Sequence, residues 1–81
     1  MQVGVLLFAV AREAAQADSI VINVTEGARA GDVLEALGQQ IPGIAGLIPS
    51  CRLAVDSEYV GAEAAVHPGS EVALIPPVSG G

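Results

Sequence analysis

The chain has no lysine and no tryptophan, one cysteine, one histidine and two aromatic residues, Phe8 and Tyr59. Its cations are Arg12, Arg29 and Arg52, against nine acidic residues, for a formal net charge of −6. That balance excludes nucleic acid, which needs basic groups to replace its counterions. It equally disfavours an anionic membrane surface. An acidic protein of this size is expected to meet a partner with a basic face. Without lysine, the chain cannot form lysine-linked chains of itself. With Cys51 alone no internal disulfide can form, which fits a reducing compartment. Cys51 opens the apolar run CRLAV and is expected to be a small buried hydrophobe. A reactive thiol would need a cationic or helix-terminal neighbour. His67 lies in the turn HPGS with no second histidine or acidic cluster, so a solvated loop residue is expected, not a metal ligand.

The apolar start VGVLLFAVA imitates a signal sequence, but no Lys or Arg precedes it. It is also far short of the ~20 residues of a membrane span. A soluble cytoplasmic protein is expected. With so few rings, the core must be built from Val, Leu, Ile and Ala. The 81 residues suffice for one domain, and one this small buries only about 60% of its unfolded surface. A hydrophobic fraction of 52% is too high for a disordered segment.

QVGVLLFAV is a continuous apolar run of strand length. It predicts a first strand at about Val3 to Ala9, buried on both faces. AREAAQA has room for one or two helical turns. SIVINV is the second strand, with Ile20, Ile22 and Val24 on one face and Val21 and Asn23 opposite. TEGARAGDVLEALGQQI holds the main helix, whose stripe is Val33, Leu34, Leu37 and Ile41. Asp32 and Glu35 suit its first turns. Its start is poorly signalled, Gly31 and Gly38 weaken it, and Pro42-Gly43 stops it. IAGLIPS reads as a loop with apolar anchors. CRLAV, the turn Asp56-Ser57 and EYV read as a hairpin. EVALI is the last strand, closed by Pro76, which has no backbone donor. One long helix beside four or five strands makes an α+β layer pair. The first and last strands, both apolar throughout, are expected to lie centrally and pair in parallel.

After that strand come Pro76, Pro77, Val78, Ser79, Gly80 and Gly81. Such a tail is either idle or functional. Two prolines favour a stiff, extended base, and two glycines make a thin, adaptable tip. Pro-Pro then Gly-Gly is poor random punctuation.

The strand and helix order, the stretch LFAVARE with Phe8, Ala9, Arg12 and Glu13, the Pro-Gly after the helix and the ending PGSEVALIPPVSGG carry a resemblance over essentially the whole chain. The sequence resembles the small, sulfur-carrying subunits of molybdopterin synthase, a ubiquitin-like family. Two departures are mild: Arg29-Ala30 stands where the family commonly has a helix-capping hydroxyl or acid, and Asp56-Ser57 where a turn often carries Asn.

The resemblance implies a ubiquitin-like β-grasp fold, a mixed four- to five-stranded sheet packed on one main helix. Residues 1–75 would form the body and 76–81 a flexible tail. It also implies a cycle. An activating enzyme, using ATP and magnesium, adenylates the carboxylate of Gly81. A sulfur donor displaces AMP and leaves a thiocarboxylate. The tail, Pro76 to Gly80 with it, threads into the large synthase subunit. There the sulfur attacks a cyclic pyranopterin precursor, and two deliveries build the molybdopterin dithiolene. The implied assembly is two small subunits on a large-subunit dimer, with no cofactor bound by the carrier. Docking is expected through an apolar sheet face beside the tail. Phe8 is the candidate anchor, or else a core side chain. Arg12 is a candidate at the same interface, although solvated Arg12 and Glu13 are the plainer reading. Three alternatives stand beside this one: a carrier for thiamine thiazole synthesis or tRNA thiolation, a ubiquitin-like protein modifier, and an interaction domain with a meaningless tail.

Overall fold

In the computed structural model, which describes residues 1–77, the chain runs β1 (Gln2–Leu7), α1 (Ala9–Ala15), β2 (Ser19–Asn23), α2 (Ala30–Gln40), β3 (Arg52–Val55), β4 (Glu58–Val60) and β5 (Val72–Ile75). Short 3-10 turns occupy Pro42–Ile44 and Ile48–Ser50. The five strands form one mixed sheet in the order β2-β1-β5-β3-β4. β1 and β5 pair in parallel, with Leu7 opposite Leu74, while every other pair is antiparallel. This is the β-grasp arrangement, and the two apolar strands are central in it.

Those two strands are not buried on both faces, as their composition predicts. Along β1, Val3, Val5 and Leu7 are buried and Gln2, Gly4 and Leu6 are exposed. Along β5, Val72 and Leu74 are buried while Ala73 and Ile75 are only half-buried. One sheet face carries the core and the other has no covering element among the described residues. The unbroken apolar run therefore signals a second apolar surface, not a second core. β1 also stops at Leu7, two residues before the expected end. Phe8 is extended at φ −129°, and Ala9 turns into the left-handed region at φ 49°. That break starts α1 two residues earlier than the helix formers suggest.

The inner face packs against α2 through Val33 and Leu37, with Ile22, Ile44, Leu53 and Val66 completing an aliphatic core. Each such side chain, once buried, contributes about 1.5–3 kcal/mol. Ala11 of α1 joins this core. Ile44 is the anchor of the segment read as a loop, held by the first 3-10 turn.

The start of α2 lacks a capping hydroxyl, and backbone carbonyls replace it. Ala30 N–H donates to Ala64 O at 2.8 Å and Gly31 N–H to Ala62 O at 2.9 Å. The Asp32 carboxylate accepts from Arg29 N–H at 2.9 Å. These bonds satisfy donors that a helix N-terminus leaves unpaired. They also explain Gly31: a Cβ there would lie 3.2 Å from Ala62 Cβ. At the other end, the Gln40 amide donates to Asn23 O at 2.8 Å and accepts from Asn23 N–H at 3.1 Å. The helix is thereby tied to edge strand β2, whose outward backbone groups are partly covered. The Asp56-Ser57 turn is left-handed at both residues, φ 51° and 71°, as a two-residue hairpin of this twist requires. Asp56 Oδ1 accepts from Glu71 N–H at 2.9 Å and anchors the turn beside β5.

Candidate functional site

The parallel pairing of β1 with β5 decides where the tail leaves. Both strands end at the same rim of the sheet, so Pro76 emerges beside Phe8 and the start of α1. Pro76 is buried and Pro77 is exposed. Val78, Ser79, Gly80 and Gly81 lie outside the described residues.

Phe8 is not a core residue. It is 45% exposed and stands between two surfaces. On one side is a groove of about 300 Å³ on the outer sheet face, lined by Leu6, Phe8, Ala54, Tyr59, Ala73 and Ile75. Register explains why these side chains meet: Leu6 lies opposite Ala73, Ala73 opposite Ala54, and Ala54 opposite Tyr59. Alternate residues of neighbouring strands share a face. Arg52 reaches over Tyr59, its guanidinium carbon 4.2 Å from the ring centroid, a cation–π contact. On the other side is a groove of about 510 Å³ at the rim, with Pro76 and Pro77 in its wall. The apolar sheet face expected beside the tail is thus present. Leu6 and Tyr59 belong to it: Tyr59 stands out in the sequence as one of two aromatics, and Leu6 does not. Leu6 gave no such signal, because it sits in an unbroken apolar run whose two faces look alike.

Arg12 is exposed on α1, and its Nε lies 3.8 Å from Asp18 Oδ1, both side chains solvated. Such a pair contributes little to stability. Cys51 is half-buried in the wall of the rim groove, and its thiol donates to Leu47 O at 3.1 Å. Burial pushes that thiol up from its ordinary value, the opposite of an activated nucleophile. His67 is exposed in its turn, its backbone N–H donating to Ser70 Oγ. Among the described residues no group of three or more His, Cys, Asp or Glu gathers to hold a metal. Nor is any helix there long and apolar enough to cross a membrane.

The sequence pattern described as the ThiS family matches residues 5–81. The chain belongs to the ThiS family. Among curated members, it is 36% identical to the molybdopterin synthase sulfur carrier subunit of Chlamydomonas reinhardtii over the whole of both chains. It is 37% identical to the sulfur carrier subunit of the same name from Homo sapiens, over 99% of this chain and 94% of that one. Among solved structures it is similar to SAMP1 from Haloferax volcanii, at a TM-score of 0.86 and 28% identity, with both chains fully covered. Both of those curated relatives are sulfur carrier subunits of molybdopterin synthase by name.

Proposed function

We propose that the chain is the sulfur-carrying subunit of a cytoplasmic molybdopterin synthase, with Gly81 as the carrier carbon. The observation that carries this reading is the position of the tail root. Pro76, the first residue of Pro-Pro-Val-Ser-Gly-Gly, directly follows a central strand and lies beside an uncovered apolar sheet face and an exposed phenylalanine. A partner seated on that face would receive the tail directly. The body would then be residues 1–75 and the working tail 76–81.

A carboxylate is a poor acyl donor, so the cycle needs activation. The Gly81 carboxylate oxygen attacks the α-phosphorus of ATP on a magnesium-dependent activating enzyme, and pyrophosphate leaves. A sulfide-equivalent nucleophile then attacks the carbonyl, and AMP leaves with the bonding pair. The thiocarboxylate that results is an anionic, soft nucleophile held covalently. In the large synthase subunit its sulfur attacks a carbon of the pyranopterin precursor and displaces an oxygen leaving group; water then cleaves the resulting thioester, leaving the sulfur on the pterin and a carboxylate on Gly81. Residues Pro76 to Gly80 guide this end, and Phe8, with Arg12 at its flank, anchors the docked face. The net charge of −6 suits a partner with a basic surface.

A second reading, a protein modifier, is favoured by the likeness to SAMP1, small archaeal modifier protein 1 of Haloferax volcanii. Activation would be shared, and the acceptor would be an amine of another protein. Carriers for thiazole synthesis or tRNA thiolation likewise differ only in acceptor.

The test is substitution at the tip. A methyl group beside the reacting carbonyl removes φ values that glycine reaches without cost and crowds two active sites. Gly80→Ala and Gly81→Ala are expected to melt within about 0.5 kcal/mol of the parent and to bind the large subunit normally. Adenylation and sulfur delivery should each fall about tenfold or more. Full turnover by the double variant would contradict the threading account.

A further inference from the structure

Hydrogen bonding fixes which backbone groups of β2 face the open edge of the sheet. β2 is an edge strand, paired with β1 alone. Val24 N–H donates to Met1 O at 2.9 Å, and Leu7 N–H donates to Asp18 O at 2.8 Å, so Val24 and Asp18 turn toward β1. An antiparallel strand faces its partner with every second residue. Ile20 and Ile22, opposite Val5 and Val3, therefore also bond to β1, and Ser19, Val21 and Asn23 point their N–H and C=O outward. At Asn23 both groups are taken by one side chain. The Gln40 amide donates to Asn23 O at 2.8 Å and accepts from Asn23 N–H at 3.1 Å. At Ser19 and Val21 the outward groups have no partner among the described residues. Val21 is also 62% exposed, and Gly4, opposite it, leaves the space beside its side chain open.

We propose that the β2 edge is a docking site for an extended, basic segment of a partner protein, added antiparallel to β2 as a further strand. Gln40 shows the geometry. Its amide, chemically a peptide group, exchanges both bonds with a single residue, the pattern of an antiparallel pair and not of a parallel one. A guest strand in that register pairs with Ser19 and Val21, and with Asn23 once the Gln40 amide swings aside. Main-chain bonds then supply affinity and alternate side chains supply specificity. Guest residues opposite Ser19, Val21 and Asn23 lie on the outer face, where an apolar side chain packs beside Val21. The residues between them lie on the α2 side. There a cavity of about 340 Å³ between the end of β2 and α2 is lined by Asp32 and Glu35 and by no cation, so basic side chains suit those positions. A second copy is a poor guest, because each chain carries a net charge of −6. The opposite edge is a poorer site. β4 has three residues, and its tight turn pairs Val55 with Glu58, leaving only Tyr59 with outward backbone groups. The site is independent of the tail and stands whether or not Gly81 carries sulfur.

The probe is the peptide acetyl-Val-Lys-Val-Lys-Val-Lys-amide, titrated into the full chain and followed by amide chemical shifts. Saturable shifts should centre on Ser19, Val21 and Asn23. N-methylation of the valines, whose N–H groups pair with β2, should abolish binding. N-methylation of the lysines, whose N–H groups face away, should leave Kd within about threefold. Gln40→Ala, which removes the competing amide, should tighten binding about threefold or more. Glu35→Gln should weaken it about threefold. Equal losses from the two methylated peptides, unchanged binding in either variant, or equal binding of a peptide with glutamate in place of lysine would overturn the proposal. So would saturable shifts centred elsewhere, or none at millimolar peptide. Shifts at Ser19 and Val21 that grow with protein concentration in the absence of peptide would make a second copy the guest and overturn it too. If Gln40→Ala fails to fold, the two methylated peptides decide alone, since they need no variant.

Discussion

Truncating Phe8 separates two accounts of the same side chain by magnitude. A phenylalanine sealed in a core costs about 3–5 kcal/mol when cut to alanine. Phe8 is 45% exposed, so little more than half of its surface is removed from water within the folded chain. Full burial contributes about 1.5–3 kcal/mol, and the half-buried ring leaves no sealed cavity behind. A loss of about 1–1.5 kcal/mol is expected. For a domain of this size, that lowers Tm by roughly 4–12 °C. Docking should suffer more. An aromatic anchor that becomes fully buried against a partner costs 2 kcal/mol or more on truncation, so Kd for the large subunit should rise about thirtyfold or more. Thermal melts and titration calorimetry on Phe8→Ala read the two quantities separately, at a temperature where the variant is folded. A stability loss of core size with unchanged affinity per folded molecule would refute this placement. So would parental stability and affinity together.

Ala9 pays for its left-handed backbone, so Ala9→Gly is expected to gain about 0.5–1 kcal/mol and raise Tm by roughly 2–8 °C; a lower Tm would show that the methyl packs usefully. Cys51 is shielded, and its thiol pKa is raised by burial. Alkylation of the folded protein should be slow at neutral pH, quicken only as the pH climbs past the ordinary thiol range, and leave Gly81 untouched. The neutral thiol is the form that the fold favours. Its contribution to stability is therefore complete below the ordinary thiol pKa and lost as the pH rises through the raised value. Cys51→Ala should flatten that alkaline decline, and an unchanged pH profile of melting would contradict it.

Much of the fold was legible in residue pattern alone. Alternation in SIVINV put Ile22 and Val21 on opposite faces, because a strand has period two, and the fold buries the first and exposes the second. Val33 and Leu37 marked the buried stripe of α2, because a helix has period 3.6. The tail was legible for a different reason: proline pairs and glycine pairs have few structural uses together. What did not show in the pattern was long-range. QVGVLLF and EVALI read as doubly buried because both of their faces are apolar, and composition does not tell a covered face from a bare one. The cap of α2 comes from the carbonyls of Ala62 and Ala64, some thirty residues away in the chain. The left-handed turn at Ala9 has no glycine to announce it.

The central claim is that Gly81 carries the sulfur, and intact-mass and fragment-ion spectrometry test it most directly. Incubated with an activating enzyme, ATP, magnesium and a sulfur source, the chain should gain the mass of one oxygen-to-sulfur exchange, with the heavier fragment ending at Gly81. The Cys51→Ala variant should gain it equally, since the shielded thiol takes no part. Sulfur found on Cys51, with Gly81 still a plain carboxylate, would contradict the account.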